Sequence, residues 1–557
     1  MKVLYIFFVT LVFTACNSQN KKKVEDVPKL KQPNIVWIVT EDISPTLSFY
    51  GDNTAKTPNL DNLAKESMVY NNAFAVVGVC APTRSSIITG MYPTSIGTMH
   101  MRTGKDVQSW GKRDYKKETD RVDLYGGNII EYSAVIPDYV KCYTEYLRAA
   151  GYYCTNNQKT DYQFASPVTA WDENNNKAHW RHAPKDKPFF AVFNIGTTHE
   201  SMLWRNEDKP LTVNPKDVKV PPYLPDNEAT RQSVSRNYSN IELMDAEVGT
   251  FIKQLKDDGL YDNTIIFFYS DHGGPLPRQK REIYDSGLKV PFMIKGVNAE
   301  IGRTNRMISF VDLAPTMLSI VGIEPPKYME GQAFLGEFET KERDFIIGTS
   351  DRFDEYTDRI RAVRNKKFLY LRNDFPELPK YKDVGYRKNI PMMSKLLELE
   401  NEHKLNAIQH SWFETKTIEE LYDCEADPFN IYNLAENPQF EKVLSEMRQV
   451  LVNHMEDRPD LGEIPESELI NKMWPNFEQP TTASVDVKNN NGTVTLSSKT
   501  KGASIAYIIS DQGNETLDLN SHWRLYSQPF SLEKGEFVYT MAQRIGYKES
   551  EITSRKN

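Results

Sequence analysis

Cysteine is scarce in this sequence: the 557 residues include only five, from Cys16 to Cys424. A chain of this length with so few cysteines is not a disulfide scaffold. Cys142 and Cys154 could pair in an oxidising compartment, and the sequence leaves that pairing open. Histidine is scarce too, with nine residues, which disfavours a site that holds two metal ions.

Excess positive charge and long apolar runs are also lacking. The formal net charge of −8 argues against a general nucleic-acid binder, so a polyanionic substrate would have to be met by a local basic site. The apolar run Val3–Phe13 is too short for a stable membrane-spanning helix. It follows Lys2 and leads into Phe13-Thr14-Ala15-Cys16, which resembles a bacterial lipoprotein signal with Cys16 as the lipidated residue. The alternative is a plain secretory signal, and both predict export.

The sequence does contain enough apolar material, 39% hydrophobic residues, for one large core and at least one smaller domain. Buried strands alternate with helices, which predicts an α/β sheet whose ligands bind beyond the carboxyl ends of its strands. The predicted strands are residues 33–42, 187–195 and 263–270, and the predicted helices are residues 57–67, 137–150 and 229–255.

The character of the sequence changes twice after this α/β region. Charged and aromatic segments such as Lys367–Leu371 predict a smaller α+β subdomain. From about Gln479, an alternation of period two predicts an all-β, immunoglobulin-like module, which resembles the C-terminal domain of chitobiase-type hexosaminidases. The predicted organisation is a signal peptide (1–16), a linker (17–32), an α/β domain (33–336), the subdomain that completes it (337–476) and the module (479–557).

The stretch GVCAPTRSSIITG, residues 78–90, predicts a helix that begins near Cys80. Pro82 suits a first helical turn, and Gly90 ends the helical pattern. Backbone N–H groups and the positive end of the helix dipole favour anions there, and Arg84 lies one turn further on. Cys80 is therefore a candidate nucleophile; the alternative is a buried structural cysteine.

Polar residues follow each of the three predicted strands. Glu41 and Asp42 end the first, His199 lies beyond the second, and Asp271 and His272 follow the third. Each group alone is commonly a solvated turn or a structural histidine. Because the carboxyl ends of such strands meet at one edge, together they offer carboxylate oxygens for a hard cation beside the candidate nucleophile.

The segment from Cys80 to Arg84, CAPTR, followed by SSIITG, resembles the signature of the formylglycine-dependent (type I) sulfatases of the alkaline phosphatase superfamily. The resemblance extends over about residues 33–460, and the order of segments is most similar to heparan N-sulfatase and its bacterial relatives. It implies an alkaline phosphatase-like sheet sandwiched by helices. The supporting segments are PNIVWIVTED, TPNLDNLAKES, YSDHGGPLPRQKREIYDSGLKVP, FVDLAPTMLSIVGI and ELYDCEADPFNIYNLAENP.

The resemblance also implies a chemistry. A formylglycine-generating or sulfatase-maturating enzyme oxidises the cysteine to formylglycine, whose hydrate attacks sulfur with one hydroxyl. Deprotonation of the second hydroxyl then expels sulfate. The implied Ca²⁺ site consists of Glu41, Asp42, Asp271, His272 and the modified Cys80. Glu41 stands where the family usually has an aspartate.

Further roles are implied residue by residue. Arg84 would orient the formylglycine hydroxyls, His199 would be the general acid, and Lys280 would grip the sulfate. Lys159 matches the lysine of the family's Lys-x-His segment, but Asp161 occupies the histidine position, which puts one proton-handling role in doubt.

Four residues are weaker candidates for substrate binding. His100, downstream of the signature helix, is either a substrate contact or structural. Arg352, Asp354 and Glu355 could bind sugar hydroxyls or a uronate, and the alternative is a charged surface loop.

These observations predict an exported, lipid-anchored sulfatase that acts on a sulfated polysaccharide, such as ulvan or a heparan-type glycan with N-sulfo groups. Its expected partners are that carbohydrate, the maturation enzyme and the membrane, with no nucleic acid. The alternatives are a phosphate or phosphonate monoester hydrolase on the same fold, and a non-catalytic glycan-binding lipoprotein.

Overall fold

The structure, a computed structural model, describes residues 32–101, 115–117, 119–296 and 300–557. The predicted signal peptide, its Cys16 and nearly all of the predicted linker lie outside these ranges. Within them, no helix is both long and apolar enough to cross a membrane. Pro33–Asn557 forms one compact unit.

The strands are numbered β1 to β20 along the described chain. They are β1 Asn34–Thr40, β2 Ser67–Phe74, β3 His100–Met101, β4 Tyr153–Asn157, β5 Glu173–Asn175, β6 Phe189–Ile195, β7 Thr264–Ser270, β8 Phe292–Lys295, β9 Gly302–Ser309, β10 Ile346–Phe353, β11 Tyr356–Arg364, β12 Phe368–Asn373, β13 Glu419–Asp423, β14 Val485–Asn490, β15 Thr493–Ser498, β16 Ser504–Ser510, β17 Arg524–Leu525, β18 Phe530–Ser531, β19 Phe537–Gln543 and β20 Thr553–Lys556.

The α-helices are numbered in the same way. They are α1 Pro58–Ala64, α2 Cys80–Thr89, α3 Pro93–Ile96, α4 Tyr143–Ala149, α5 Met202–Arg205, α6 Glu228–Asp257, α7 Asp285–Leu288, α8 Leu313–Ile320, α9 Pro391–Asn401, α10 Ala407–His410, α11 Glu441–Asp457 and α12 Glu466–Met473.

An eight-stranded sheet in the order β5-β4-β6-β1-β7-β8-β2-β9 forms the centre of the larger part. All neighbouring strands are parallel except β8, which is antiparallel to both β7 and β2. Strands β6 and β7 are buried along their whole length, because helices cover both faces, and this explains their continuous apolar sequences. The predicted α/β fold class is confirmed.

Side chains alternate between two cores, one on each face of this sheet. Trp37 of β1 packs in the core that includes residues of α2, α4 and α8. Its neighbours Val36 and Ile38 pack on the opposite face with residues of α1, α6 and α9. The long helix predicted over 229–255 is α6, which Asn227 caps by accepting a hydrogen bond from the Thr230 backbone N–H at 3.0 Å.

The helix predicted over residues 137–150 is shorter than expected. It begins only at Tyr143, because the Glu145 carboxylate accepts a hydrogen bond from the Cys142 backbone N–H at 3.2 Å and fixes the N-terminus there. Cys142 and Cys154 are both free cysteines, so the pairing that the sequence left open is absent.

A second, five-stranded sheet in the order β13-β12-β11-β10-β3 follows the first. Its strand β3 comes from the loop after α3, and it pairs in parallel with the end of β10 through Arg352 and His100. This sheet carries the hairpin between β10 and β11, whose tip is Asp354 and Glu355. The hairpin lies beside the site described below.

The C-terminal strands form two further sheets, β14-β15-β18 and β17-β16-β19-β20, as expected for an all-β module. This module is held closely against residues 134–148. Lys141 Nζ donates to the Gly502 carbonyl at 2.8 Å, and Arg148 Nη2 donates to the Trp523 carbonyl at 2.8 Å. A Cβ at Gly546 would lie 2.5 Å from the Ala134 carbonyl oxygen, so only glycine permits this approach.

Arg544→Ala should destabilise this contact. Arg544 is buried and donates to the Ile136 carbonyl at 2.5 Å and the Pro137 carbonyl at 3.4 Å. Leaving these acceptors without a donor should lower the free energy of unfolding by about 1–3 kcal/mol in urea titrations. The matched control is Lys501→Ala, which removes an exposed ion pair with Asp138 and should leave the stability close to that of the wild type, because solvent screens such pairs. Equal effects would contradict the docking role.

Candidate active site

Three neighbouring strand ends place acidic and imidazole side chains at one edge of the large sheet. Strand β1 pairs with β6 on one side and β7 on the other, so their carboxyl ends are adjacent. Glu41 and Asp42 follow β1, Asp271 and His272 follow β7, and His199 follows a short turn after β6. The sequence prediction that these residues share one edge agrees with their positions.

Cys80 is the first residue of α2 and is fully buried at the same edge. Its Sγ lies 3.3 Å from His272 Nε2 and 3.6 Å from Lys280 Nζ. Burial and Asp271 raise the pKa of the thiol, but the nearby cations more than offset them and the pKa falls below its ordinary value. The helix ends at Gly90, which has a φ of 70°, as predicted.

The approach to Cys80 is also fixed by the backbone. The Arg281 N–H donates to the Gly78 carbonyl at 2.6 Å. A Cβ at Gly78 would lie 2.3 Å from the Glu282 carbonyl oxygen. A side chain at this position would therefore push the Lys280 segment away from the thiol.

His272 and Asp42 face each other in a way that suits a bound cation. The His272 Nδ1 donates to the Gly273 carbonyl at 3.0 Å, so the neutral ring presents the lone pair of Nε2 to Asp42 Oδ1, 3.0 Å away. Asp42 Oδ1 is buried and has no hydrogen-bond partner among the described residues. Two lone pairs at this distance repel unless a proton or a metal ion lies between them.

Two overlapping groups of side chains could hold that metal ion. Within each group, the ligand atoms all lie within 4.8 Å of one another. The donor set is rich in carboxylate oxygens, which suits a hard cation. With no ion bound, burial lowers the pKa of His272, but Asp271 and its neighbours raise it to about 10. The groups are Glu41, Asp42, Cys80 and His199, and Asp42, Cys80, Asp271 and His272.

Arg84 is held rigidly next to these ligands. Its Nε donates to Asp271 Oδ2 at 3.0 Å and its Nη1 donates to Asn194 Oδ1 at 2.7 Å. Asn194 is fixed in turn, because its Nδ2 donates to Asn156 Oδ1 at 3.0 Å. The guanidinium is thus oriented one helical turn from Cys80.

Lys159 lies between two carboxylates. Its Nζ is 2.8 Å from Glu41 Oε2 and 3.1 Å from Asp161 Oδ2. Burial raises the pKa of Glu41, but Lys159 more than offsets this and holds the pKa below its ordinary value. Asp161, at the position where the resembling family has histidine, is therefore an ion-pair partner of the lysine.

His199 is the most exposed member of the group, with a side chain 21% exposed. Its Nε2 lies 3.9 Å from Glu41 Oε2, and its Nδ1 lies 2.9 Å from Ser201 Oγ. Burial and the charge of Lys280 lower the pKa of His199. Asp42, Cys80 and Glu41 raise it by a larger amount, so this pKa lies above its ordinary value. A raised pKa suits a group that must deliver a proton near neutral pH.

Lys280 is fixed by two acids. Its Nζ lies 2.7 Å from Asp42 Oδ2 and 3.5 Å from Glu200 Oε1. Arg281 grips the same Glu200 through Nη1 and Nη2 at 3.0 and 2.8 Å, and its Nε reaches Asp354 at 2.7 Å. Although burial raises the pKa of Glu200, these cations lower it to about 2.

Glu200, Arg281 and Asn194 were not predicted from the sequence. Glu200 directly follows His199 and Arg281 directly follows Lys280, so proximity to a candidate residue was the only available signal. Their pairing joins positions 81 residues apart, which no local pattern reveals.

The structure brings together all of the predicted catalytic and metal-binding residues but not all of the predicted substrate contacts. His100 is fully buried against the Tyr132 hydroxyl, which favours the structural alternative that the sequence left open, and its contact with substrate stays a prediction. Asp354 reaches the site through Arg281, Glu355 is exposed at the hairpin tip, and Arg352 is buried.

The site thus combines a buried group of carboxylates that could hold one cation with amino and guanidinium groups that surround the Cys80 sulfur. Such cationic groups stabilise negative charge on a tetrahedral oxyanion, while the buried position excludes water. His199 lies at the accessible side, where a leaving oxygen would depart.

Comparisons with known proteins agree with this geometry. The family model "Sulfatase" matches residues 33–180 and 104–323. An ulvan-active sulfatase of Formosa agariphila is 44% identical over 98% of this chain and 96% of that protein. Human N-sulphoglucosamine sulphohydrolase is 24% identical over 75% of this chain and 89% of that protein. A solved 2-O glycosaminoglycan sulfatase has the same fold, with a TM-score of 0.54, 16% identity, and coverage of 77% of this chain and 92% of that one.

Proposed function

This chain belongs to the sulfatase family and is a sulfuric ester hydrolase of sulfated polysaccharides, and from that membership we propose that its substrate is ulvan or ulvan oligosaccharides. The observation that carries the proposal is the buried Cys80 between an acidic cradle and the cations Arg84, Lys159 and Lys280. The 44% identity to an ulvan-active sulfatase over nearly the whole chain supports the choice of polysaccharide.

We propose that Cys80 is converted to formylglycine and that the cation is Ca²⁺. The orphaned Asp42 Oδ1, the oriented Nε2 of His272 and the carboxylates of Glu41 and Asp271 fit such an ion. When bound, Ca²⁺ would draw electron density from the sulfate oxygens, and the modified Cys80 would supply the nucleophilic oxygen.

Four side chains of this protein act in the proposed reaction. Lys280 and Lys159 bind the sulfate oxygens and stabilise their charge as the sulfur–oxygen bond breaks. Arg84 holds the modified side chain in position. His199 donates a proton to the leaving sugar oxygen, which its raised pKa and its accessible position favour.

The experiment that tests this function is sulfate release from ulvan oligosaccharides, quantified by ion chromatography, with the protein produced in a host that matures sulfatases. Mass spectrometry of the peptide containing Cys80 reports the modification in the same sample. Formylglycine together with sulfate release supports the proposal. If the modified protein releases sulfate only from other glycans, ulvan is not its substrate.

Removal of the metal ion should abolish activity reversibly. Without the ion, Glu41, Asp42 and Asp271 face one another as buried like charges, so we expect a lower melting temperature as well as the loss of sulfate release. Dialysis against a chelator, followed by return of Ca²⁺ or Mg²⁺, is the measurement. Recovery with Ca²⁺ but little with Mg²⁺ is expected, because Mg²⁺ requires a smaller octahedral site. Activity that survives complete metal removal would contradict this assignment.

We also propose that the protein is exported and anchored through a lipid on Cys16, which lies outside the described residues. The support is the apolar run after Lys2 that leads to Ala15-Cys16. Membrane fractionation of the native host, with Cys16→Ala as the comparison, tests it. The variant should leave the membrane fraction, and its retention there would argue against the anchor.

A further inference from the structure

Arg352, near the end of β10, is a buried cation that forms no ion pair with a carboxylate among the described residues. It is only 4% exposed. Its Nη2 donates to the backbone carbonyls of Gly462 and Ile464, while its Nη1 has no hydrogen-bond partner among the described residues. A buried charge is unfavourable unless it is paired. Arg352 therefore has charge and a donor available for a ligand.

The other buried arginines in the described ranges differ from Arg352. Five of them pair with carboxylates: Arg84, Arg281, Arg361, Arg364 and Arg387. Three donate to backbone carbonyls through both Nη atoms: Arg236, Arg278 and Arg544. In that part of the chain, only Arg352 lacks both kinds of compensation.

Arg352 lines a pocket that is open to solvent and whose enclosed part, about 20 Å³, has room for a small polar group; Arg359, Tyr125 and Phe375 also line it. The Arg359 guanidinium pairs with Asp374 through Nε at 2.5 Å and lies 5.2 Å from the centre of the Phe375 ring, so it contributes a charge that is already partly balanced. Tyr125 is 71% exposed at the rim and presents an aromatic face to an incoming sugar. The pocket thus combines cations with aromatic surface.

The acids that line this pocket are already occupied or lie at its edge. Asp123 accepts hydrogen bonds from backbone N–H groups and a serine hydroxyl. Asp358 pairs with Lys416 Nζ at 3.0 Å. Glu466 faces a buried histidine ring, and Glu463 is exposed. They leave the Nη1 of Arg352 without a partner.

The pocket is next to the catalytic site, across the tip of the β10–β11 hairpin. Asp354 lies two residues after Arg352, a span of at most about 7 Å. Asp354 contacts Arg281, which grips Glu200, the neighbour of His199. The hairpin tip therefore connects the pocket to the catalytic site.

We propose that Arg352 and Arg359 form a subsite for an anionic group on a sugar ring adjacent to the ring that is desulfated. This rests on the proposed function. A uronate carboxylate and a second sulfate share the required charge and acceptor oxygens, and a guanidinium binds either one with two parallel hydrogen bonds.

The test compares kcat/KM for uronate-containing ulvan oligosaccharides with kcat/KM for a small aryl sulfate. Arg352→Gln should lower kcat/KM for the oligosaccharides by about 10–100-fold, because hydrogen bonds to a charged group are lost. It should leave kcat/KM for the aryl sulfate unchanged. Arg359→Gln should lower kcat/KM for the oligosaccharides by a smaller factor, because this guanidinium is already paired with Asp374. Arg352→Lys should retain part of the activity. Arg303→Gln, an exposed arginine on β9, is the matched control and should have no effect.

Modified oligosaccharides identify the anionic group. If the ligand is a carboxylate, its reduction to an alcohol removes the difference between wild type and Arg352→Gln. If the ligand is a second sulfate, that difference survives reduction and disappears when the second sulfate is removed. Equal losses on the aryl sulfate, or a difference that survives both modifications, would overturn the subsite. Failure of the wild type to desulfate any ulvan oligosaccharide would instead overturn the proposed function.

Discussion

We expect replacement of Cys80 by alanine to abolish sulfate release, lowering kcat/KM by about 10⁴-fold or more, as loss of a nucleophile does in other hydrolases. The change removes one sulfur atom at the start of α2 and keeps Cβ, so the helix and its Gly90 end should be retained. The measurement is sulfate release from ulvan oligosaccharides and from an aryl sulfate, with circular dichroism to verify the fold.

The matched control is Cys424→Ala. Cys424 is a free, partly buried cysteine whose Sγ accepts a hydrogen bond from Asn430 Nδ2 at 3.3 Å; it follows β13 of the second sheet and belongs to neither group of candidate metal ligands. The Cys424→Ala protein should be as active as the wild type. A Cys80→Ala protein that kept activity within tenfold of the wild type would disprove the role of this residue.

The second large effect is expected for Asp42→Asn, which removes charge while keeping shape. Asp42 Oδ2 accepts hydrogen bonds from Lys280 Nζ and the Glu200 backbone N–H, each at 2.7 Å. The change removes one metal ligand and one partner of Lys280, so we expect a loss of about 10³-fold in kcat/KM. With Ca²⁺ present, Lys280 loses its nearer carboxylate and keeps only Glu200 at 3.5 Å, so the free energy of unfolding should fall by up to about 3 kcal/mol.

The effect on stability should depend on the metal ion. In a chelator, the asparagine relieves repulsion between Asp42 and Asp271, so the stability difference between variant and wild type should shrink. Asp245→Asn is the control: this buried carboxylate accepts hydrogen bonds from Asn59 and the Leu60 backbone N–H, and in the described part of the chain it pairs with no cation. It should leave activity and chelator sensitivity unchanged, and an identical response of the two variants would argue against the site.

The parts of the site that the sequence predicted are those with a local signal. Glu41, Asp42, Asp271 and His272 end apolar runs, and the position of such residues follows from parallel-strand geometry. Cys80 was identified by the residues around it, and Gly90 ended the helix where expected. Each of these inferences needed only a few neighbouring residues.

The parts that the sequence could not predict depend on contacts between distant segments. Glu200 and Arg281 are recognisable only once the turn after β6 meets the loop after β7. The burial of His100 could not be predicted either, because it depends on Tyr132, which is 32 positions away. The helix predicted from Pro137 was too long because the Glu145 carboxylate fixes its start, and the docking of the C-terminal module on this segment is equally non-local.

The burial of Cys80 also has a consequence for timing. The residues that enclose the thiol are synthesised long after it: His272 follows 192 positions later and Lys280 follows 200 positions later. At about 5–20 residues per second, translation leaves an interval of roughly 10–40 s before they exist. In the finished fold, Cys80 is 0% exposed.

The proposed modification of Cys80 would therefore have to occur before the chain folds, so its yield would depend on the rate of modification relative to the rate of folding. An enzyme that meets the nascent chain early finds an accessible thiol, and one added to the folded protein meets a closed interior. Slowing translation between α2 and β7 should raise the fraction of modified molecules. Faster synthesis in a host with little maturation enzyme should yield folded, unmodified protein. That protein should stay inactive even when the enzyme is supplied later.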